Sequence, residues 1–196
     1  VYFDMSRSRH PVRLFTKPPP AEIARDFLLV WSPREVVRDP NSVPLLTATS
    51  LFKKSDSLLE LDIGCGTGEF IMKLAAKRPD RCFLGFDRAG KPLFRAVAEA
   101  HAAGLSNTKF IKADFRTLVP HLAPASLAAV YYHFPHPYTK QRHLRTGVFG
   151  SELLICLKSA LHPQGYVSVL TDDQATFEHF MQVAHSVPGF ALNTSG

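Results

Sequence analysis

A doubly wound α/β fold, with a mostly parallel sheet and helices on both faces, is predicted by three observations. From Leu58 onward, apolar runs of five or six residues alternate with amphipathic stretches of ten or more, the pattern of βαβ units. The first run leads straight into a glycine-rich turn, Gly64-Cys65-Gly66-Thr67-Gly68. Stop signals close the amphipathic stretches: Arg78-Pro79-Asp80 after the first, Gly104 after the second, and His162-Pro163-Gln164-Gly165 after the last but one. Strands are expected at 58–63, 82–86, 108–113, 127–133 and 165–170, and helices at 68–78, 90–103, 150–161 and 174–186.

The segment before Leu58 has another texture. Pro11, Pro18-Pro19-Pro20, Pro33, Pro40 and Pro44 punctuate it, and Arg7, Arg9, Arg13 and Lys17 cluster near its start. Proline removes a donor and fixes φ, so a long helix is excluded there. The expectation is a basic, proline-rich arm over 1–57, with a short helix from about Ala21 to Val30, ahead of a second unit over 58–196.

Composition narrows the function. The 196 residues are 45% hydrophobic and 20% charged, the mix of an ordinary globular chain. Three cysteines, Cys65, Cys82 and Cys156, give neither a disulfide framework nor a zinc knuckle. No apolar run approaches the ~18 residues of a membrane span, and charges stand where a signal peptide would be apolar, so a cytoplasmic location is expected. Lys plus Arg exceed Asp plus Glu by 23 to 17, a surplus that favours a polyanionic partner.

The glycine turn sits between a buried strand and a helix, the context of a nucleotide loop. A dinucleotide fingerprint would place its third glycine where Glu69 stands, and a carboxylate there repels a pyrophosphate. Gly64, Gly66 and Gly68, flanked by Asp62 and Glu69, instead suit a ligand with a cationic centre and no phosphate, which is S-adenosylmethionine. Asp87, about twenty residues on, is placed to accept the ribose hydroxyls, and Asp114, after the third strand, to accept from the adenine amino group.

The most distinctive stretch follows the fourth strand: His133-Phe134-Pro135-His136-Pro137-Tyr138-Thr139-Lys140-Gln141-Arg142-His143. Two prolines present His136 on a rigid bend, and Lys140, Arg142, His143 and Arg145 offer donors to phosphate or a purine edge. His133, His136 and His143 do not make a metal set, because Pro135 stiffens the backbone and no Cys or acid completes four positions. Phe134 reads as core packing, with stacking on a base as its alternative; Tyr138 is open between the two.

With the glycine loop, this turn, the Lys-x-Arg-His run, Thr171-Asp172-Asp173 and Phe177-Glu178, the sequence resembles the bacterial tRNA (guanine-N7-)-methyltransferase family from about Leu58 to Val187. The resemblance implies a class I methyltransferase fold, S-adenosylmethionine as methyl donor and tRNA as partner, with methyl transfer to N7 of a guanine. By position, Asp62, Asp87 and Asp114 match acids that hold the donor, and His133 joins them at the family's usual Asn. Lys140, Arg142, Thr171, Asp172 and Glu178 are the implied substrate contacts. The family's turn normally reads Phe-Pro-Asp-Pro-Trp, so His136 stands at the position of the active-site Asp and is the catalytic candidate. Two alternatives stay open: a methyltransferase acting on another acceptor, or a catalytically impaired subunit that binds S-adenosylmethionine or RNA.

Overall fold

The computed structural model describes residues 17–135 and 149–193. Among these, six strands form one sheet: β1 Leu28–Val30, β2 Leu59–Ile63, β3 Cys82–Asp87, β4 Thr108–Lys112, β5 Leu127–His133 and β6 Leu161–Leu170. All pair in parallel, in the order β1-β4-β3-β2-β5-β6. After β1, which ends up at the edge beside β4, the chain crosses to mid-sheet at β2, builds outward through β3 and β4, and then returns past β2 to lay down β5 and β6. Winding direction reverses between β2 and β5, and at such a switch point the strand ends leave a crevice.

The described helices are α1 Ala21–Phe27, α2 Pro33–Arg38, α3 Ala48–Phe52, α4 Glu69–Lys77, α5 Gly90–Ala102, α6 Phe115–Leu118, α7 Ser151–Ala160 and α8 Gln174–Ser186. Side chains alternate across each strand, and the two faces build separate cores. Leu59, Leu61 and Ile63 of β2 join Leu153 and Leu157 of α7 and Phe180 of α8 on one side. Phe83 and Phe110 meet Ile71 and Met72 of α4 and Leu93 and Val97 of α5 on the other. Glu60 and Asp62, the even positions of β2, therefore lie on the α4 side, and both are buried.

The N-terminal segment departs from the expected arm in detail. The helix expected to reach Val30 stops at Phe27, and Leu28–Val30 becomes a strand, pairing Leu28 with Phe110 and Val30 with Lys112. Residues 28–30 are short and apolar, and a free strand edge overrides their weak local preference. The loops expected beyond hold two short helices, each started by a reciprocal cap: Ser32 with Glu35 for α2 and Thr47 with Ser50 for α3. Val36, Val43, Leu46 and Ala48 are buried in the same core as β2. At the other edge β6 starts at Leu161, not residue 165. It runs through Pro163, which an outermost strand tolerates, and a register shift between Leu127 and Ala129 absorbs the offset.

Gly68 shows how tightly the turn meets the core. It opens α4 with φ at 71°, and a Cβ on it would lie 2.7 Å from Cε1 of Phe110. Gly68→Ala is expected to cost about 3 kcal/mol, the left-handed backbone and the overpacking together. Gly64→Ala, with nothing among the described residues within 4 Å of its Cβ, should cost only the backbone share, about 1 kcal/mol. Urea midpoints of the two variants check this; equal losses would mean that Phe110 yields freely.

Candidate active site

One half of the crevice is built on β2, β3 and β4. Gly64 and Cys65 both donate backbone N–H to the carbonyl of Phe86, at 2.8 and 2.9 Å, which ties the loop to β3. Asp87 clamps it from the side: Oδ2 accepts from Gly66 N–H at 3.0 Å and Oδ1 from Ala89 N–H at 2.8 Å. Each carboxylate oxygen keeps a further lone pair, so Asp87 can hold the loop and still accept a hydroxyl. Among the described residues, chain neighbours aside, no atom lies within 4 Å of where a Cβ would sit on Gly64 or Gly66, which leaves open ground above the loop.

Asp62 is the least comfortable group in this half. It is 4% exposed and accepts no hydrogen bond among the described residues. Burial, and then repulsion from Asp87, push its carboxyl up to about 7. A buried carboxyl beside a second carboxylate is relieved by a cation, so these residues fit a ligand with a positive amino-acid head. Burial also pushes the Cys65 thiol well up, which leaves it neutral and no competitor for the loop.

Asp114 is ordered by different means. Its carboxylate receives Arg116 in a fork, Nε to Oδ1 at 3.0 Å and an Nη to Oδ2 at 2.6 Å, and caps α6 through Arg116 N–H at 3.2 Å. The side-chain bonds from Arg116 hold it below the usual carboxylate range. Arg116 takes most of its acceptor capacity and leaves room for one further donor. Asp114 also lines a cavity of about 290 Å³ with Trp31, Pro33, Arg88 and Lys112. Sequence reasoning missed Trp31, which arrives from the N-terminal segment at the end of β1.

Glu69, read from the sequence as a cofactor ligand, is the first residue of α4. Its side chain is 59% exposed, and its carboxylate pairs with Lys73 at 2.7 Å, one turn further along α4. That hydrogen bond holds its carboxyl below the usual range.

The other half is built on β5 and β6. His133, the last residue of β5, shares a hydrogen bond of 2.9 Å between Nε2 and Ser168 Oγ, and its ring lies 4.8 Å from Phe70 and 5.5 Å from Tyr131. Burial lowers the imidazole to about 4, so it is neutral at physiological pH and puts no positive charge beside a cationic ligand. Phe134, expected in the core, is instead 38% exposed. Thr171 is half-buried and Asp172 exposed just after β6. The cap of α8 falls on Asp173, which accepts from Thr176 N–H at 2.8 Å, and Thr171 Oγ1 accepts from Asp173 N–H. Glu178 is exposed on α8 and accepts from Gln174 at 2.8 Å. His136, Lys140 and Arg142 lie outside the described residues. Among the described residues no three His, Cys, Asp or Glu side chains are grouped to hold a metal ion, and no helix is long and apolar enough to cross a membrane.

Comparison with known proteins agrees with this geometry. Residues 56–195 match a family model described as a putative methyltransferase. A tRNA (guanine-N(7)-)-methyltransferase of Chloroflexus aggregans is 38% identical over 184 residues, covering 94% of this chain and 82% of that protein. One of the same name from Rubrobacter xylanophilus is 39% identical over 171 residues, covering 87% and 76%. Among solved structures, an aminoglycoside resistance methyltransferase, NpmB1, superposes with a TM-score of 0.51 at 23% identity, over 72% of this chain and 71% of that one, which shows the shared fold. A six-stranded sheet wound outward from a glycine loop, acids at three successive strand ends and these relatives lead to one assignment. The chain belongs to the tRNA (guanine-N7-)-methyltransferase family.

Proposed function

We propose that this protein transfers a methyl group from S-adenosylmethionine to N7 of a guanine in tRNA. Beside family membership, the observation that carries the reading is Asp62, a buried carboxyl with no hydrogen-bond partner among the described residues, next to open ground above the glycine loop. The formal charge of +6 suits a polyanionic substrate.

When bound, S-adenosylmethionine supplies an electrophilic methyl on a sulfonium. In this reading Asp62 holds the α-ammonium, Asp87 accepts the ribose hydroxyls, and Asp114, with Trp31 and Arg88 as walls, receives the adenine edge. Gly64, Gly66 and Gly68 let the backbone approach the amino-acid head, and His133 closes the crevice as a neutral ring. Lys140, Arg142, Thr171, Asp172 and Glu178 are assigned to the tRNA. Glu69 is left with an indirect part, through its pair with Lys73 at the start of α4.

Guanine N7 carries a free lone pair, so no proton leaves before attack and a general base is dispensable. The main demand is position, with the reacting atoms about 3 Å apart and in line, worth ~7 kcal/mol or more. The second demand is charge, because the guanine ring becomes cationic as the methyl arrives. A neutral His136 holds the purine by hydrogen bonds and supplies less of that stabilisation than a carboxylate. His136→Asp is therefore expected to raise kcat about tenfold. An unchanged or lower kcat would mean that His136 is not beside the ring.

Transfer of labelled methyl to unmodified tRNA, followed by nucleoside digestion, tests the reading. 7-Methylguanosine is the expected product. Transfer only to other acceptors, or donor binding with no transfer, would favour the two alternatives open from the sequence. Donor-side binding is read separately, since Trp31 is the single tryptophan of the chain and lines the cavity with Asp114. Titration with S-adenosylhomocysteine should shift its emission. The affinity should hold level above about pH 7 and fall tenfold per unit below it, as Asp62 takes up its proton. An unmoved emission would place the adenine elsewhere.

A further inference from the structure

Phe134 is the first residue after β5, at the switch point where β5 turns away from β2. Its φ is 49°, in the left-handed region that favours glycine. Its backbone is fixed there, because its N–H donates to the carbonyl of Leu170 at 2.7 Å. The neighbouring His133 is anchored in the same way to β6 through Ser168. The strained backbone is thus held from both β5 and β6, yet the side chain it delivers is 38% exposed. Leu170, paired in register with His133, is 47% exposed beside it. Backbone preference does not account for an aromatic residue at this place. Strain of this kind persists where the surroundings over-determine it and clusters at functional sites; Lys53 and Ala125 share the positive φ, but Phe134 alone of the three stands at the end of a central strand.

The direction of the crevice supplies the rest. Asp62, Asp87 and Asp114 occupy the ends of β2, β3 and β4, so the donor lies on that side and the acceptor base must enter over β5 and β6. Resting on the reading above, we infer that the ring of Phe134 is the stacking platform for the acceptor guanine. A flat purine on that ring keeps its N7 lone pair in plane and turned toward the donor side. The contact also changes as the reaction proceeds. The bond from sulfur to methyl breaks with its electron pair returning to sulfur, N7 gives its lone pair to the methyl carbon, and the purine becomes a cation. An aromatic face attracts a cation more than a neutral ring, so the platform favours the transition state over the bound substrate. It supplies part of the electrostatic stabilisation that His136 does not.

The test compares Phe134→Leu, Phe134→Tyr and Phe134→Gly with the wild-type protein. Leu keeps the backbone strain and most of the volume but removes the π face. With tRNA as acceptor, Phe134→Leu should lose about 10- to 100-fold in kcat/KM, part of it in kcat, while Phe134→Tyr stays within threefold. S-adenosylhomocysteine affinity should be unchanged in both. Phe134→Gly relieves the left-handed backbone, so its melting temperature should equal or exceed wild type while its activity falls like that of Leu. A purely structural role would make activity follow stability instead. A second readout needs no turnover: calorimetric titration of the protein, saturated with S-adenosylhomocysteine, with 7-methylguanosine 5′-monophosphate and with guanosine 5′-monophosphate. The wild type and Phe134→Tyr should prefer the methylated cation, and Phe134→Leu should lose the preference. If the wild-type protein makes no 7-methylguanosine on tRNA but shows this preference, the tRNA reading fails and the platform stands. If product forms and Phe134→Leu keeps wild-type kcat/KM, or if no product forms and no preference exists, the platform is overturned.

Discussion

Asp62→Asn is expected to lose at least ~100-fold in S-adenosylhomocysteine affinity at pH 8 and, without ligand, to melt higher than the wild-type protein. In the proposed reading, the affinity loss follows from removing the charge opposite a buried α-ammonium, a partner worth about 3 kcal/mol or more. The gain in stability follows from the same burial. An unfolded chain releases the Asp62 proton near the ordinary value of 3.8, whereas the folded chain keeps it until about 7. Stability from this group is therefore whole below pH 4 and is lost as the pH climbs to about 7, by up to ~4 kcal/mol. Asn carries no such proton, so the difference in melting temperature between variant and wild type should be small at pH 4 and widest at pH 8. A variant less stable than wild type at pH 8 would mean that the carboxylate already has a cationic or hydrogen-bonding partner in the free protein.

The second large effect lies at the other end of β2. Glu60 is 2% exposed, and two groups meet its carboxylate there, with a third one step behind. Arg78, just past α4, reaches Oε1 at 2.8 Å, Tyr131 donates its hydroxyl to Oε2 at 2.8 Å, and Tyr166 lies 2.9 Å from the Tyr131 hydroxyl. Burial pushes the Tyr131 phenol up, so it stays a donor at any working pH. Arg78→Met leaves the buried carboxylate without its counter-charge and should destabilise the fold by about 3 kcal/mol, read as a lower urea midpoint at unchanged slope. Adding Glu60→Gln removes the charge that was left behind, and the double variant should recover at least half of the loss. Equal losses for the single and double variants would show that Arg78 acts through its packing on Phe83, over which its guanidinium lies at 5.5 Å.

These two carboxylates also show where sequence reading succeeds and where it stops. The place of Asp62 was legible, because a strand running into Gly-x-Gly-x-Gly sets the residue two before the first glycine near the mouth of the crevice. Asp87 and Asp114 were legible for the same reason, each closing an apolar run of the βαβ pattern. Glu60 was not, since its partners stand 18 and 71 positions away and only the parallel pairing of β2 with β5 brings Tyr131 to it. Phe134 was read as core because an apolar residue after a strand usually packs inward, and a local pattern does not reveal a positive φ. Trp31 escaped because its role depends on three residues being captured by the edge of β4, a choice made by the sheet and not by residues 28–30 themselves.

That capture has a consequence for the motions of the protein. β1 holds to the sheet by three residue pairs, at its outer edge, and Leu28 meets Phe110 only after a long intervening loop has closed. Loop closure of that span costs entropy that few contacts repay, so this strand docks late in folding and frays first afterwards. Trp31 follows it directly, and so one wall of the cavity breathes with the least secure strand, while Asp87 and the glycine loop stay fixed. Amide exchange at Leu28, Leu29 and Val30 is thereby tied to occupancy: whatever fills the cavity slows that fraying, and the N-terminal segment becomes a timer on how long the ligand stays.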